Sequence, residues 1–160
     1  MFKKWSRWQV GGTSVTAPAR PQDSKLMDTV DKQTRSRIMA RVRNKDTRPE
    51  MVVRRLVYAL GYRYRLHDPR LPGKPDLVFW GRRKAIFVHG CFWHRHEGCP
   101  LARLPKSKQD FWIPKLSANK ERDQRNLAEL QEKGWDVLVV WECELSDLDS
   151  LRKRISRFLS

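Results

Sequence analysis

The sequence predicts an α/β fold, a mixed central sheet flanked by helices. Three observations carry that prediction. A capped helix with apolar residues at helical spacing comes before any strand pattern. Two short apolar runs, "DLVFW" and "AIFVH", are joined by the polar stretch "GRRK". A third run, "WDVLVVW", lies between a polar helix pattern and a closing amphipathic one. The predicted order is α-α-β-β-β-loop-α-β-α, with no internal repeat.

Each element has its own warrant. Residues 1–26 contain "GGTSVTAPARPQDS", rich in Gly, Ser, Thr and Pro with little to bury, so a disordered basic leader is expected there and one folded domain over 27–160. Met27 reads as an alternative start, with the leader dispensable for folding. "DKQTRSRIMARVRNKD" fits a short basic helix with Ile38, Met39 and Val42 on one side. "TRPE", 47–50, supplies Thr47 as N-cap, Pro49 in the first turn and Glu50 three residues after the cap, a capping-box signature. The helix that follows carries Val52, Val53, Leu56, Val57 and Leu60, then stops at Gly61.

"YRYRL", 62–66, alternates aromatic or apolar residues with Arg, which is strand periodicity. "HDPRLPGKP" is a loop, and the runs either side of "GRRK" form a β-hairpin. Residues 90–116 make a long connection of the kind usually kept for function. "ANKERDQRNLAELQEK" is a polar helix ending at Gly134. "WDVLVVW" is a buried strand, and "DLDSLRKRISRFL" is a helix with Leu151, Ile155 and Phe158 inward.

Charge narrows the function. Across 160 residues, 34 Lys and Arg against 18 Asp and Glu give a formal charge of +16. Self-repulsion on that scale opposes compactness, so a polyanionic partner is expected, and nucleic acid leads. No run approaches the ~18 apolar residues of a membrane span. Lys3 and Lys4 are not followed by an apolar stretch, which argues against a secretory signal. Three Cys is an odd number, poorly spaced for a disulfide framework, and fits a cytoplasmic protein with metal-bound thiolates.

"HGCFWHRHEGC", 89–99, concentrates the chemistry. Cys91, His96 and Cys99 have a C-x4-H-x2-C spacing that lets one loop offer three zinc ligands. Cys143, just after the third apolar run, is the candidate fourth. The plainer reading is that Cys91 and Cys143 are small buried residues and the histidines are surface polar groups. Asp76 ends "GKPD" at the mouth of the hairpin. Folding the hairpin about Arg82 and Arg83 puts Asp76 opposite Val88 or His89, where a carboxylate and a backbone carbonyl can share Mg²⁺. Its plainer reading is a turn residue after Pro75. A nearby His, with pKa ≈ 6.5 when unperturbed, suits a general base, and His94 sits inside the pinned loop.

The stretches "SRIMARVRNKDTRPE", "LPGKPDLVF", "IFVHGCFWHRH", "FWIPKLSANKERD" and "GWDVLVVWEC" resemble the very short patch repair (Vsr) endonucleases over residues 28–145. These nick DNA 5′ to the T of a T:G mismatch produced by deamination of 5-methylcytosine. The resemblance implies a restriction-endonuclease-like fold, one structural Zn²⁺ and catalytic Mg²⁺. It makes Asp76 the principal Mg²⁺ ligand, Val88 a ligand through its carbonyl (the family often has Thr there), and His94 the general base. His89 and Asp123 become further active-site groups, and Glu50 reaches the metal's water shell. Cys91, His96, Cys99 and Cys143 match the zinc ligands. Two residues, Glu97 and Gly98, separate His96 from Cys99 where the family pattern has one, so they must absorb an extra residue.

Phe92, Trp93 and Trp112 match the family's wedge, which enters the base stack beside the mismatch, and Met39 matches the residue entering the opposite groove. Unstacking costs a few kcal/mol per base step, each base–aromatic stack returns ~1–3, and a weak T:G pair lowers the cost. Trp135 and Trp141, on the buried strand, are expected to be core. The partners implied are duplex DNA with a T:G mismatch and other mismatch-repair proteins; a cytoplasmic, nucleoid-associated monomer is expected. Two alternatives stay open: an endonuclease of other mismatch or site specificity, and a zinc-stabilised DNA binder without catalysis.

Overall fold

The computed structural model describes residues 45–160. The leader over 1–26 and the basic helix expected around Ile38, Met39 and Val42 lie outside the described residues. Helix α1 runs Arg48–Ala59. Its capping box is complete: Glu50 N–H donates to Thr47 Oγ1 and Thr47 N–H donates to Glu50 Oε2, both at 3.4 Å. Val53, Leu56 and Val57 are buried on its inner face.

Four strands follow the order β1 (Arg65–Leu66), β2 (Leu77–Phe79), β3 (Lys84–His89) and β4 (Asp136–Trp141) across one sheet. β2 pairs antiparallel with both β1 and β3; β4 runs parallel to β3, from Lys84 opposite Asp136 to His89 opposite Trp141. The strand expected over 62–66 shrinks to its last two residues, Arg65 and Leu66, which pair with Val78 and Leu77. Tyr62 and Tyr64 still pack edge-on against Phe79, at 6.5 and 6.2 Å between ring centroids.

The hairpin register differs from the expected one. Leu77 pairs with Ile86, Val78 with Ala85 and Phe79 with Lys84, which brings Asp76 level with Phe87, not with Val88 or His89. The cause is the turn: Trp80–Arg82 forms a short 3-10 turn and Arg83 takes a left-handed conformation, φ 52°. The fold point therefore falls earlier than the pair Arg82 and Arg83.

Helix α2 spans Gln109–Glu132 and links β3 to β4; α3 spans Leu148–Leu159. The sequence placed the start of α2 later. Pro114 lies inside it, near enough to the N-terminus that it removes one early hydrogen bond and leaves the later turns intact. Trp112 and Leu116 are buried on the same helix and hold that first stretch down.

Both sheet faces are covered. On one, Val53, Leu56 and Val57 of α1 and Leu151, Ile155 and Leu159 of α3 pack on Leu77, Phe79, Ile86 and Val140. On the other, Leu130 of α2 and Trp135 pack on Val78, Ala85 and Phe87. Strands buried on both sides need apolar residues at successive positions, which is why "LVF" and "VLVV" read as unbroken runs. Each fully buried aliphatic side chain contributes roughly 1.5–3 kcal/mol. Phe158 packs against the first core, where Leu159 fills the innermost place. Among the described residues no helix is long and apolar enough to cross a membrane.

Candidate active site

Alternation along β3 decides what faces α2. Ala85 and Phe87 point into the α2-side core, so His89, two residues on, faces the same helix. There it stacks on His94, with ring centroids 3.9 Å apart and planes 7° from parallel. His94 Nδ1 lies 2.5 Å from Asp123 Oδ2 on α2. Burial, then the neighbouring His94, pushes the His89 imidazole down to about 4, so it is a neutral ring against which His94 is held.

These groups line an open cleft of about 500 Å³ together with Asp76, His67, Lys45, Lys74 and Arg122. Asp76 enters at the start of β2, and its Oδ2 accepts the Val88 N–H at 2.7 Å. Burial pushes this carboxyl up to about 6, and Glu50 adds to that push, against the Val88 hydrogen bond, His67 and Arg54. A half-buried carboxylate whose charged form burial disfavours gains from a hard cation in the open cleft, which is the fit Mg²⁺ requires. Gly73 closes the loop before it: with φ 69°, its missing Cβ would stand 2.8 Å from Asn126 Nδ2 of α2.

Glu50 serves two roles at once. One oxygen completes the capping box, while Oε1 takes an ion pair from Arg54 and lies 2.9 Å from His67 Nε2. His67 and Arg54 escaped the sequence reading. The available signals were weak: an Arg four residues after Glu50, and a His at the end of an alternating strand pattern.

Beside the cleft, Cys91 Sγ and Cys143 Sγ lie 3.6 and 3.4 Å from His96 Nδ1. The ligand atoms of Cys91, His96, Cys99 and Cys143 all fall within 4.8 Å of one another. Tetrahedral zinc bonds of its usual lengths set S-to-N separations of about 3.5 Å, so this donor set fits the ion. All three thiols are free, and burial pushes that of Cys91 up to about 12, a value a bound cation would lower. The parallel strand β4 delivers Cys143 because Trp141 lies opposite His89. Trp141 stacks on His96 at 4.1 Å and 3°, so this ring backs a candidate ligand in place of filling the core. Gly98, φ 71°, takes a left-handed turn just before Cys99.

Phe92, Trp93 and Trp112 come together, with centroids 5.1, 5.4 and 6.0 Å apart. Trp112 is only 7% exposed and forms the floor, while Phe92 and Trp93 are half-buried above it. Phe111, missed from the sequence, extends the cluster outward at 56% exposure. Lys115 Nζ lies 5.3–5.9 Å from the rings of Phe111, Trp93 and Trp112. Trp135 is buried, as expected. Met39 lies outside the described residues.

The sequence profile of the family described as DNA mismatch endonuclease Vsr matches residues 27–100. The chain is 52% identical to a type II nicking enzyme, V.XorIIP, of Xanthomonas oryzae pv. oryzae, over 84% of this chain and 98% of that one. It is 43% identical to the DNA mismatch endonuclease Vsr of Escherichia coli K12, over 79% and 80% of the two chains. In structure it is similar to the catalytic domain of the homing endonuclease I-Bth0305I, with TM-score 0.47 and 23% identity over 71% of this chain and 94% of that one. The cleft and these sequence relatives define a DNA endonuclease, a hydrolase of phosphodiester bonds. The chain belongs to the Vsr family of DNA mismatch endonucleases, and its partner is DNA.

Proposed function

We propose that this endonuclease cuts one strand of duplex DNA 5′ to the T of a T:G mismatch left by deamination of 5-methylcytosine, in a Mg²⁺-dependent hydrolysis. The observation that carries the reading is one cleft shared by the Asp76 carboxyl and the His94–Asp123 pair, on a chain of net charge +16. Asp76, with the Val88 carbonyl, would hold Mg²⁺, which when bound polarises a phosphodiester and stabilises the leaving oxygen. Asp123 holds His94 by Nδ1, so Nε2 takes the proton of the attacking water. The carboxylate also stabilises the imidazolium that results. Neutral His89 keeps the His94 ring in place without adding a second charge. Lys45, Lys74 and Arg122 line the cleft where phosphates would lie.

Cys91, His96, Cys99 and Cys143 would hold one structural Zn²⁺ that pins the loop bearing His94. Phe92 and Trp93, on the Trp112 floor, would enter the base stack beside the mismatch. The decisive assay incubates the protein and Mg²⁺ with duplexes that differ only in T:G or T:A at one position. A single-strand cut beside the T of the mismatch alone is expected, and Asp76→Ala should lose cutting while keeping mismatch binding. Uncut T:G duplex, or full activity of Asp76→Ala, would overturn the proposal. The type II nicking-enzyme relative favours a second reading, the same chemistry in a different sequence context. Varying the bases that flank the mismatch in the same assay separates the two.

A further inference from the structure

We infer that His67, fixed by Arg54, is a positioning residue that orients Asp76 for the divalent ion. The inference rests on the reading of Asp76 as the metal ligand. His67 takes a left-handed backbone conformation, φ 46°, which few residues other than Gly, Asn, Asp and His adopt readily. That turn brings the imidazole between two carboxylates. Its Nε2 lies 3.0 Å from Arg54 Nη2 and 2.9 Å from Glu50 Oε1, and its Nδ1 lies 3.7 Å from Asp76 Oδ1.

Nε2 faces both a donor, Arg54 Nη2, and an acceptor, Glu50 Oε1. Nη2 carries two hydrogens and no lone pair, so one can go to Glu50 and the other to Nε2; in that arrangement Nε2 accepts and the ring proton sits on Nδ1. That N–H points at Asp76. At 3.7 Å it is longer than a direct hydrogen bond and lies within ion-pair reach, with the N–H dipole facing the carboxylate. Asp76 then has both oxygens oriented before any ion arrives: Oδ2 by the Val88 N–H at 2.7 Å, Oδ1 by His67.

Arg54 itself is buried. Nη1 donates to Asp46 Oδ1 at 2.7 Å, Nη2 pairs with Glu50, and Nε is buried with no partner among the described residues. Asp46, Glu50 and His67 converge as cation ligands do, but the guanidinium already stands among them. It neutralises Glu50 and leaves Asp76 as the carboxylate free to meet a metal. Outer groups that orient a metal ligand are worth about 10–100-fold in affinity.

The test measures Mn²⁺ binding, by titration followed by electron paramagnetic resonance, on the full chain without DNA. His67→Ala should weaken Mn²⁺ binding about tenfold or more, while metal-free affinity for a T:G duplex stays unchanged. His67→Asn, which tolerates the left-handed backbone and keeps an N–H at the Nδ1 position, should restore most of the loss. His67→Gln, whose amide reaches the Nε2 position, should not. Unchanged affinity in His67→Ala, or rescue by Gln equal to that by Asn, would overturn the inference. If His67→Ala does not fold, the Asn and Gln pair carries the comparison alone. Asp76→Ala keeps the underlying reading separate. Wild-type Mn²⁺ binding by that variant would sink the metal site itself, whereas its loss beside normal binding in His67→Ala sinks only the role of His67.

Discussion

Asp76 and His89 share a cleft and are displaced in opposite senses, and that opposition is measurable. The folded Asp76 carboxyl sits at about 6 against an ordinary 3.8, so over that window it binds more protons folded than unfolded. Its contribution to stability is complete below about pH 4 and is lost as pH rises through about 6. His89 sits at about 4 against 6.5, binds fewer protons folded, and makes a contribution that is lost as pH falls from about 6.5 to 4. The two largely cancel in the metal-free protein, each being worth about 3 kcal/mol as an order of magnitude. Urea melts without added Mg²⁺ should therefore show stability rising with pH from 4 to 6.5 in Asp76→Asn and falling over the same range in His89→Gln. Slopes of one sign in both variants would refute the assignment. Asp76 and His94 stood out in the sequence because each lies in a short stretch crowded with chemistry. Arg54 and His67 did not, since neither belongs to a motif visible in the sequence. Only the fold brings α1 and the loop before β2 against Asp76.

At the scale of elements, local signals were read where the controlling contacts are local. The capping box of Thr47 and Glu50 was visible in four residues and is present at both of its hydrogen bonds. Thr47→Ala should cost about 1 kcal/mol of stability in chemical denaturation, with Thr47→Ser recovering most of it; a loss below the error of the measurement would mean the cap is idle. The substitution leaves the backbone N–H of residue 47 donating to Glu50 Oε2, so the carboxylate stays shared between cap and cleft. Signals failed where a turn's backbone geometry or a distant partner decides. The hairpin was found, but its register depended on a 3-10 turn and a left-handed Arg83 that composition does not reveal. Helix α2 begins before Pro114 because Trp112 docks on Phe92 and Trp93, a contact across the long loop. The four zinc-type ligands likewise needed β4 beside β3 before Cys143 could join Cys91.

For the molecule as a whole, the mixed sheet covered on both faces was legible from the order of apolar runs, and the charge of +16 announced the polyanion. The division of labour around the loop after β3 was not, because it depends on which ring lies beneath which. The Cys and His cluster ties that loop to the end of β4, so purified protein should carry about one zinc per chain. Stripping it should release the His94 loop and end cutting before the sheet unfolds, as followed by far-UV circular dichroism. Zinc-free protein with full activity would remove the cluster from the mechanism. The aromatic cluster gives the sharper test, since two of its members make different demands. Trp112 is buried, so Trp112→Ala opens a cavity and should cost roughly 3–5 kcal/mol of stability. Trp93, half-buried above it, has a face left for a base. Trp93→Ala should reduce preference for T:G over matched duplex by about 1–3 kcal/mol, the worth of one stack. Affinity for matched duplex, and its fall with salt, should stay as in the wild type, because phosphate contacts by Lys and Arg set both. The measurement is a pair of salt titrations of binding, on T:G and T:A duplexes, for the wild type and the Trp93 variant. If both duplexes lose affinity equally, Trp93 serves the fold as Trp112 does, and recognition of the mismatch must lie elsewhere on the basic surface.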